Sequence, residues 1–329
     1  DNIAIGRYAL DDTADNAQTG TVAIGASALT ALTSGAGNLA IGYRALNACT
    51  TAGGNTVIGF DAALLLGTSD ASGTDNTVMG WKAFDAADGN ERHNVIIGSS
   101  AGGAINADAS DDNVIIGKGA ALGGTGTRED CVVIGATAMD GTSTSTQTGT
   151  VAIGFAALTE LTSGLANTAI GYQSGVALTT GERNVIVGYS ALSQATTEAD
   201  DNVVIGYQSM DGNWSTAVVN DCVVVGNRAL RGVLTADTTG TVSIGYGSLA
   251  SLTSGGKNLA VGYKALQDND TGTDNIAIGY KALSDQDVGG SGHAQDSDHN
   301  IAIGSQAMSG AWADAKSEFN IGIGSAALG

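Results

Sequence analysis

Proline is absent from all 329 residues, aromatic side chains make up only 5%, and the three cysteines stand far apart. Each scarcity excludes something. Without proline, and without a three-residue glycine period, the 50 glycines do not make collagen. Cys49, Cys131 and Cys222 are odd in number and scattered, whereas a disulfide-stapled secreted domain is denser in cysteine. Basic residues are few: 13 stand against 33 acidic ones, giving a formal charge of −20 and an isoelectric point near 4.1. A nucleic-acid partner needs a basic footprint, and an anionic membrane surface would repel such a chain. Apolar runs of the roughly 18 to 20 residues that span a bilayer are also missing, so no membrane insertion is expected in this segment.

What remains is 43% apolar, supplied mainly by Ala, Val, Ile and Leu, which is too much for a disordered chain. These residues fall into one nine-residue motif: Asn, apolar, small or β-branched, Ile, Gly, variable, variable, Ala, Leu. It is plain in NIAIGRYAL, NLAIGYRAL, NLAVGYKAL and NIAIGYKAL. Position five is Gly in all 18 copies, from Gly6, Gly25 and Gly42 through Gly154 and Gly171 to Gly262, Gly279 and Gly324, at spacings of 17 to 25 residues. Position one is Asn in 13 copies, Thr in three and Cys in two. Position four is Ile, Val or Met, and position eight is Ala in 15 copies and Ser in three.

Such restriction within one chain follows if each copy is a coil of a solenoid. Equivalent positions then stack at the ~4.8 Å spacing of neighbouring strands, and a residue that fits once fits every time. The fold class is therefore all-β, a repetitive parallel β-roll or β-solenoid of about 18 coils. At that spacing it would be about 85 Å long, with residues 1–329 forming a single continuous array.

Positions one to four read as a strand, with two and four on one face and three on the other. Both faces are apolar, so both should be buried. One can fill the coil, and the other calls for lateral association with further chains. The invariant glycine should end the strand by taking a positive φ or by letting backbone pass close to a neighbour. The Ala-Leu pair should begin a return strand, and the remaining 8 to 16 residues, rich in turn formers, should lie as loops on an outward rim. Stacked asparagines such as Asn38, Asn167 and Asn258 can form amide ladders. Cys131 and Cys222 stand in that same column as small buried residues. The run DCVVIG at 130–135 returns as DCVVVG at 221–226, an offset of 91 residues, which is how duplication lengthens a fibre.

The pattern N-x-[AV]-I-G-x-x-[AS] resembles the head repeats of YadA-like trimeric autotransporter adhesins, and similar runs are found in bacteriophage tail-fibre proteins. The resemblance covers essentially the whole chain. It implies a left-handed parallel β-roll with three chains around a common axis, and so a homotrimeric partner for the uncovered face. Longer loops, and the lack of an anchor barrel or coiled-coil heptads, favour a phage or marine-type fibre over a compact adhesin head. Opening at Asp1 inside a repeat and closing just after another, the chain reads as a fragment of a longer fibrous polypeptide. The expected function is a structural and adhesive fibre segment, extracellular, on a virion tail fibre or a bacterial cell surface. It would span distance and attach to a host or surface receptor.

Enzymatic chemistry has little to stand on. The histidines His93, His293 and His299 sit in polar loops without a partnered nucleophile, and no phosphate-binding glycine loop is present. No cofactor is called for. The best Ca2+ candidate is the acidic run DNDTGTD, with Asp268, Asp270 and Asp274, followed by Asp285, Asp287, Asp296 and Asp298; the competing reading is a solvated acidic rim. Position six holds ten aromatic residues, among them Tyr172, Tyr189, Tyr207, Tyr246, Tyr263 and Tyr280. Stacked coils would align them in a stripe that either packs over the turn or, as the alternative function, forms a carbohydrate-binding surface.

Overall fold

The computed structural model describes residues 1–12, 18–68, 73–106, 110–141, 145–195, 199–213, 217–284, 298–310 and 318–329. Two compact units share the chain, Asp1–Ala166 and Asn167–Gly329. Each is a parallel β-solenoid whose coils are the repeats recognised in the sequence, and no helix occurs among the described residues. In the first unit nine three-residue strands run from Ile3–Ile5, Val22–Ile24 and Leu39–Ile41 to Val132–Ile134 and Val151–Ile153. In the second, nine run from Thr168–Ile170 and Val185–Val187 to Ile301–Ile303 and Ile321–Ile323. Pairing is parallel and in register, with Val22, Ala23 and Ile24 opposite Leu39, Ala40 and Ile41.

The strand occupies motif positions two to four, and position three is the one that points inward. Ala23, Ala40, Val57, Ile96 and Ile186 are fully buried, while positions two and four remain partly exposed. The interior is lined as well by position eight, with Ala28, Ala45 and Ala157, and by position nine, with Leu29, Leu46 and Leu158, all fully buried. The roll is thin, so the interior residues compensate one another. Ile105 and Ile96 fill the space that Gly102 leaves at position nine of its coil, where an added Cβ would lie 3.3 and 3.4 Å from their Cδ1 atoms. Ser243, polar at an inward position, is satisfied by the Ser248 hydroxyl at 2.7 Å and the Ser248 carbonyl at 3.0 Å.

The return strand expected at the Ala-Leu pair does not form. Positions five to nine are a compact turn in which position seven has φ between 49° and 61° and position nine between 44° and 60° in every coil. Left-handed backbone costs a non-glycine residue of order 1 kcal/mol or more, and here it is held by hydrogen bonds between coils. The Ser27 N–H donates to the Arg7 carbonyl at 2.8 Å, and the Leu29 N–H to the Ala45 carbonyl at 3.1 Å. The pattern recurs at Arg44 and Leu46, each at 3.0 Å. The amides of positions seven and nine thus point to opposite neighbouring coils, while the amide of position eight between them closes the turn, the Ala28 N–H donating to the Gly25 carbonyl at 3.3 Å.

The glycine of position five has a more restrictive reason. Gly25 has φ +138° and Gly42 φ +136°, and a Cβ on either would land on the carbonyl oxygen of the next coil's glycine. The same clash would arise at Gly6, Gly171, Gly262 and Gly279, and Gly154 shares the conformation with φ +138°.

Position one forms the amide ladder. The Asn55 N–H donates to the Asn38 Oδ1 at 3.0 Å, and the Asn38 Nδ2 reaches across to the Ala52 carbonyl at 2.9 Å. From Asn167 the ladder runs to Asn184 and Asn202, and from Asn258 to Asn275, Asn300 and Asn320, with N–H to Oδ1 distances of 3.0 Å. Cys131 and Cys222 each continue the ladder by donating their own N–H to the Oδ1 of the preceding asparagine, Asn113 and Asn202, at 3.0 Å, and their thiols reach the Gln147 and Thr238 carbonyls at 3.4 and 3.3 Å. The ladder weakens at Thr21, Thr150 and Thr241, whose buried Oγ1 atoms make no hydrogen bond.

Completing the ladder should therefore stabilise the protein. Thr241→Asn would supply an acceptor for the Asn258 amide, and the urea midpoint should rise by the equivalent of about 1 kcal/mol. Gly42→Ala should lower stability by about 3 kcal/mol or more through its carbonyl clash; a neutral Gly42→Ala would contradict the close backbone approach.

Candidate functional site

The aromatic side chains of position six form short stacks along each unit. Tyr172 and Tyr189 have ring centroids 4.9 Å apart with planes 9° apart, and Tyr189 stacks on Tyr207 at 5.4 Å. Tyr246, Tyr263 and Tyr280 form a second stack at 5.2 and 5.4 Å, and Tyr43 lies 5.1 Å from Phe60 in the first unit. The spacing is that of the coils themselves. Each ring remains half exposed, from 41% at Tyr172 to 49% at Tyr280. Since ring faces cover one another, a ligand approaching the middle of a stack meets ring edges and hydroxyl groups rather than open faces.

Tyr207 and Tyr246 do not stack on each other, because position six of the intervening coil is Asn227. Beside that break is a recess of about 400 Å3 that includes Tyr246 in its wall; the other five candidate tyrosines do not line it. The sequence signal for it was faint: small residues, Gly247 and Ala250, at positions where adjacent coils carry long side chains.

Of the candidate Ca2+ ligands, Asp268, Asp270, Asp274 and Asp298 lie among the described residues. Among the described residues no group of three or more His, Cys, Asp or Glu side chains is arranged to hold a metal. Asp274 sits just before the ladder Asn275 with φ +56°, and its carboxylate lies 3.7 Å from the His299 Nε2 of the following coil. The Asp270 carbonyl accepts the Thr253 and Ser254 amides. Asp298 takes the Thr273 amide and hydroxyl, at 2.8 and 3.0 Å. Asp268 is half-buried. Asp285, Asp287, Asp296 and His293 lie outside the described residues.

Several other titratable groups join neighbouring coils or are buried within them. His93 Nδ1 lies 3.3 Å from an Asp112 oxygen, and His299 stacks on Phe319 at 4.9 Å. The Arg183 guanidinium hydrogen-bonds Asp201 at 2.7 Å and holds its carboxyl below the usual carboxylate range. Arg44 grips Asp61 with two hydrogen bonds, at 2.8 and 2.6 Å. All three cysteines are fully buried and unpaired, and burial pushes the thiols of Cys49 and Cys222 up to about 11.

No protein-family model matches the chain, and neither a curated protein nor a solved structure shows significant similarity to it. The likeness to YadA-like heads and phage tail fibres therefore rests on the repeat motif, and the fold stands on the coil geometry described above.

The buried thiols give a direct check. At pH 8 they should be protonated, and a thiol-specific disulfide reagent should label none of the three until the chain is unfolded, then all three. A folded pKa above the unfolded value adds stability that is complete below the unfolded value of 9.0 and is lost as pH rises toward about 11 for Cys49 and Cys222. Replacing both with serine should flatten the alkaline limb of the stability profile.

Proposed function

We propose that the chain is a segment of a structural, adhesive fibre, in which the solenoid coils of three identical chains associate laterally. The observation that carries this reading is the outward face of the strands. Position four is apolar in every coil and position two in all but the three with Thr56, Thr77 and Thr168, yet their own chain does not cover them: in the second unit Ile170, Val185, Ile205, Ile244, Ile278 and Ile303 are each 36–39% exposed. A solitary exposed isoleucine needs no explanation, but a file of them repeated at coil spacing is a surface suited to burial.

A second copy of the same chain suits that surface on charge as well as on shape. With −20 overall, two copies repel through most of their surfaces, and an uncharged apolar file is where they approach at least electrostatic cost. The number three comes from the motif's likeness to YadA-like heads. In this reading the acidic exterior keeps a long assembly soluble, and the loops and the tyrosine stacks are displayed repeatedly, so that weak contacts with a host or surface receptor add. The setting that fits is extracellular, on a virion tail fibre or a bacterial surface, with a role in attachment rather than catalysis.

Light scattering on the purified chain tests the assembly. The expected mass is that of three chains, and Ile244→Asp combined with Ile278→Asp should reduce it to one while the circular dichroism of the strands is retained. A wild-type mass of one chain at micromolar concentration would overturn the proposal.

A further inference from the structure

The recess at Tyr246 has a structural origin that can be followed residue by residue. Position seven carries Arg228 in one coil and Lys264 two coils later, and between them stands Gly247. One position past the motif, Arg231 and Gln267 likewise flank Ala250. Two adjacent columns thus lose their long side chains in the same coil. The result is a gap one coil tall, floored by Gly247 and Ala250 and walled by Arg228 and Arg231 on one side and Lys264 and Gln267 on the other. Its volume of about 400 Å3 falls in the range of roughly 300–1,000 Å3 typical of small-molecule sites.

Backbone geometry does not demand the glycine there. Gly247 has φ +60°, but Gln173 and Gln208 hold the same position with φ 53° and 49°, and Arg228 and Lys264 do so with φ 55°. A Cβ at 247 would meet nothing closer than the Lys264 Cγ at 3.7 Å, an ordinary contact. The space exists because no side chain fills it, not because none fits.

Charge defines what the space would take. The protein has 13 basic residues against 33 acidic ones, yet this one recess gathers Arg228, Arg231 and Lys264 around a single carboxylate, Asp211. Lys264 Nζ rests 5.7 Å from the centre of the Tyr263 ring, and the Arg228 Nε lies 3.4 Å from the Gln208 Oε1, so neither cation is held by an acid in those contacts. Guanidinium groups suit planar carboxylates. Asp211, whose Oδ1 accepts the Ser193 hydroxyl, disfavours a compact polyanion and favours a ligand that also brings hydroxyl donors. Gln267 and Asn213 add amides for the same hydroxyl groups.

We propose that the recess binds one acidic sugar unit, a pyranose-sized polyhydroxylated carboxylate, whose acid group faces Arg228, Arg231 and Lys264 while its hydroxyls meet Asp211, Gln267 and Asn213. This site belongs to a single chain and does not rest on the fibre reading: a monomer would carry it as well as an assembly would.

Titration calorimetry with the full chain at low salt, using glucuronate as the probe, tests this directly. Glucuronate should bind saturably at one site per chain, glucose at least tenfold more weakly, and inorganic sulfate at least tenfold more weakly than glucuronate. Gly247→Gln, which fills the gap with a residue the column already accepts, should abolish binding while the chain still melts cooperatively, its midpoint lowered only by the few degrees that left-handed backbone costs a non-glycine residue, and Arg231→Gln should weaken it at least tenfold. Absence of glucuronate binding, equal binding of glucose, or full binding by Gly247→Gln would each overturn the proposal. Sulfate binding as tight as glucuronate would overturn it too, reducing the recess to a simple anion site.

Discussion

Hydrogen bonding between coils is the constraint on which the rest of this structure depends. A coil with only three residues in strand conformation must still direct its other amides along the stacking direction, because a buried amide left unpaired costs free energy that little else in so thin a roll could offset. The protein meets this with left-handed residues at positions seven and nine, whose N–H groups point to the coils on either side. Glycine at position five lets those coils approach, and asparagine at position one ties each turn to the next through its side chain. The columns are restricted for this reason, since each residue is surrounded by copies of itself.

The same constraint explains where chemistry can and cannot reside. Interior positions are filled by Ala, Val, Ile and Leu side chains that are fully buried against one another, and the strand's outward file is mostly apolar. What varies is position six, position seven and the loops beyond position nine. Those positions carry the stacked tyrosines, the inter-coil ion pairs such as Arg44–Asp61, and the recess at Gly247. Function in such an architecture is written on a lattice that the backbone has already fixed.

Much of that lattice is legible from residues alone. The period, the parallel in-register pairing, the glycine column and the Asn ladder all follow from asking what can stack on itself. The return strand was misjudged because Ala-Leu reads as strand by composition, while the left-handed backbone beneath Leu29 or Leu46 is imposed by neighbouring coils and leaves no mark in their own side chains. Which strand face points inward was open as well, since positions two, three and four are all apolar; the small volume left inside the roll decides for position three, where alanine is commonest. Asp268, Asp270 and Asp274 look like a cluster in sequence, but along the coil they are set apart, with the Asp270 carbonyl taking the Thr253 and Ser254 amides and the Asp274 carboxylate facing His299 of the next coil. The recess leaves little mark in the sequence because it is made by two small residues, Gly247 and Ala250, whose effect shows only against the long side chains of the neighbouring coils.

Residue-resolved hydrogen exchange tests the central claim most directly. If inter-coil bonds hold the turns, the amides of positions seven and nine, such as Arg44, Leu46, Lys264 and Leu266, should be protected to the same degree as the strand amides of Leu39 and Leu259. Exchange of those four at the rate of free turns, while the strand amides stay protected, would contradict the account.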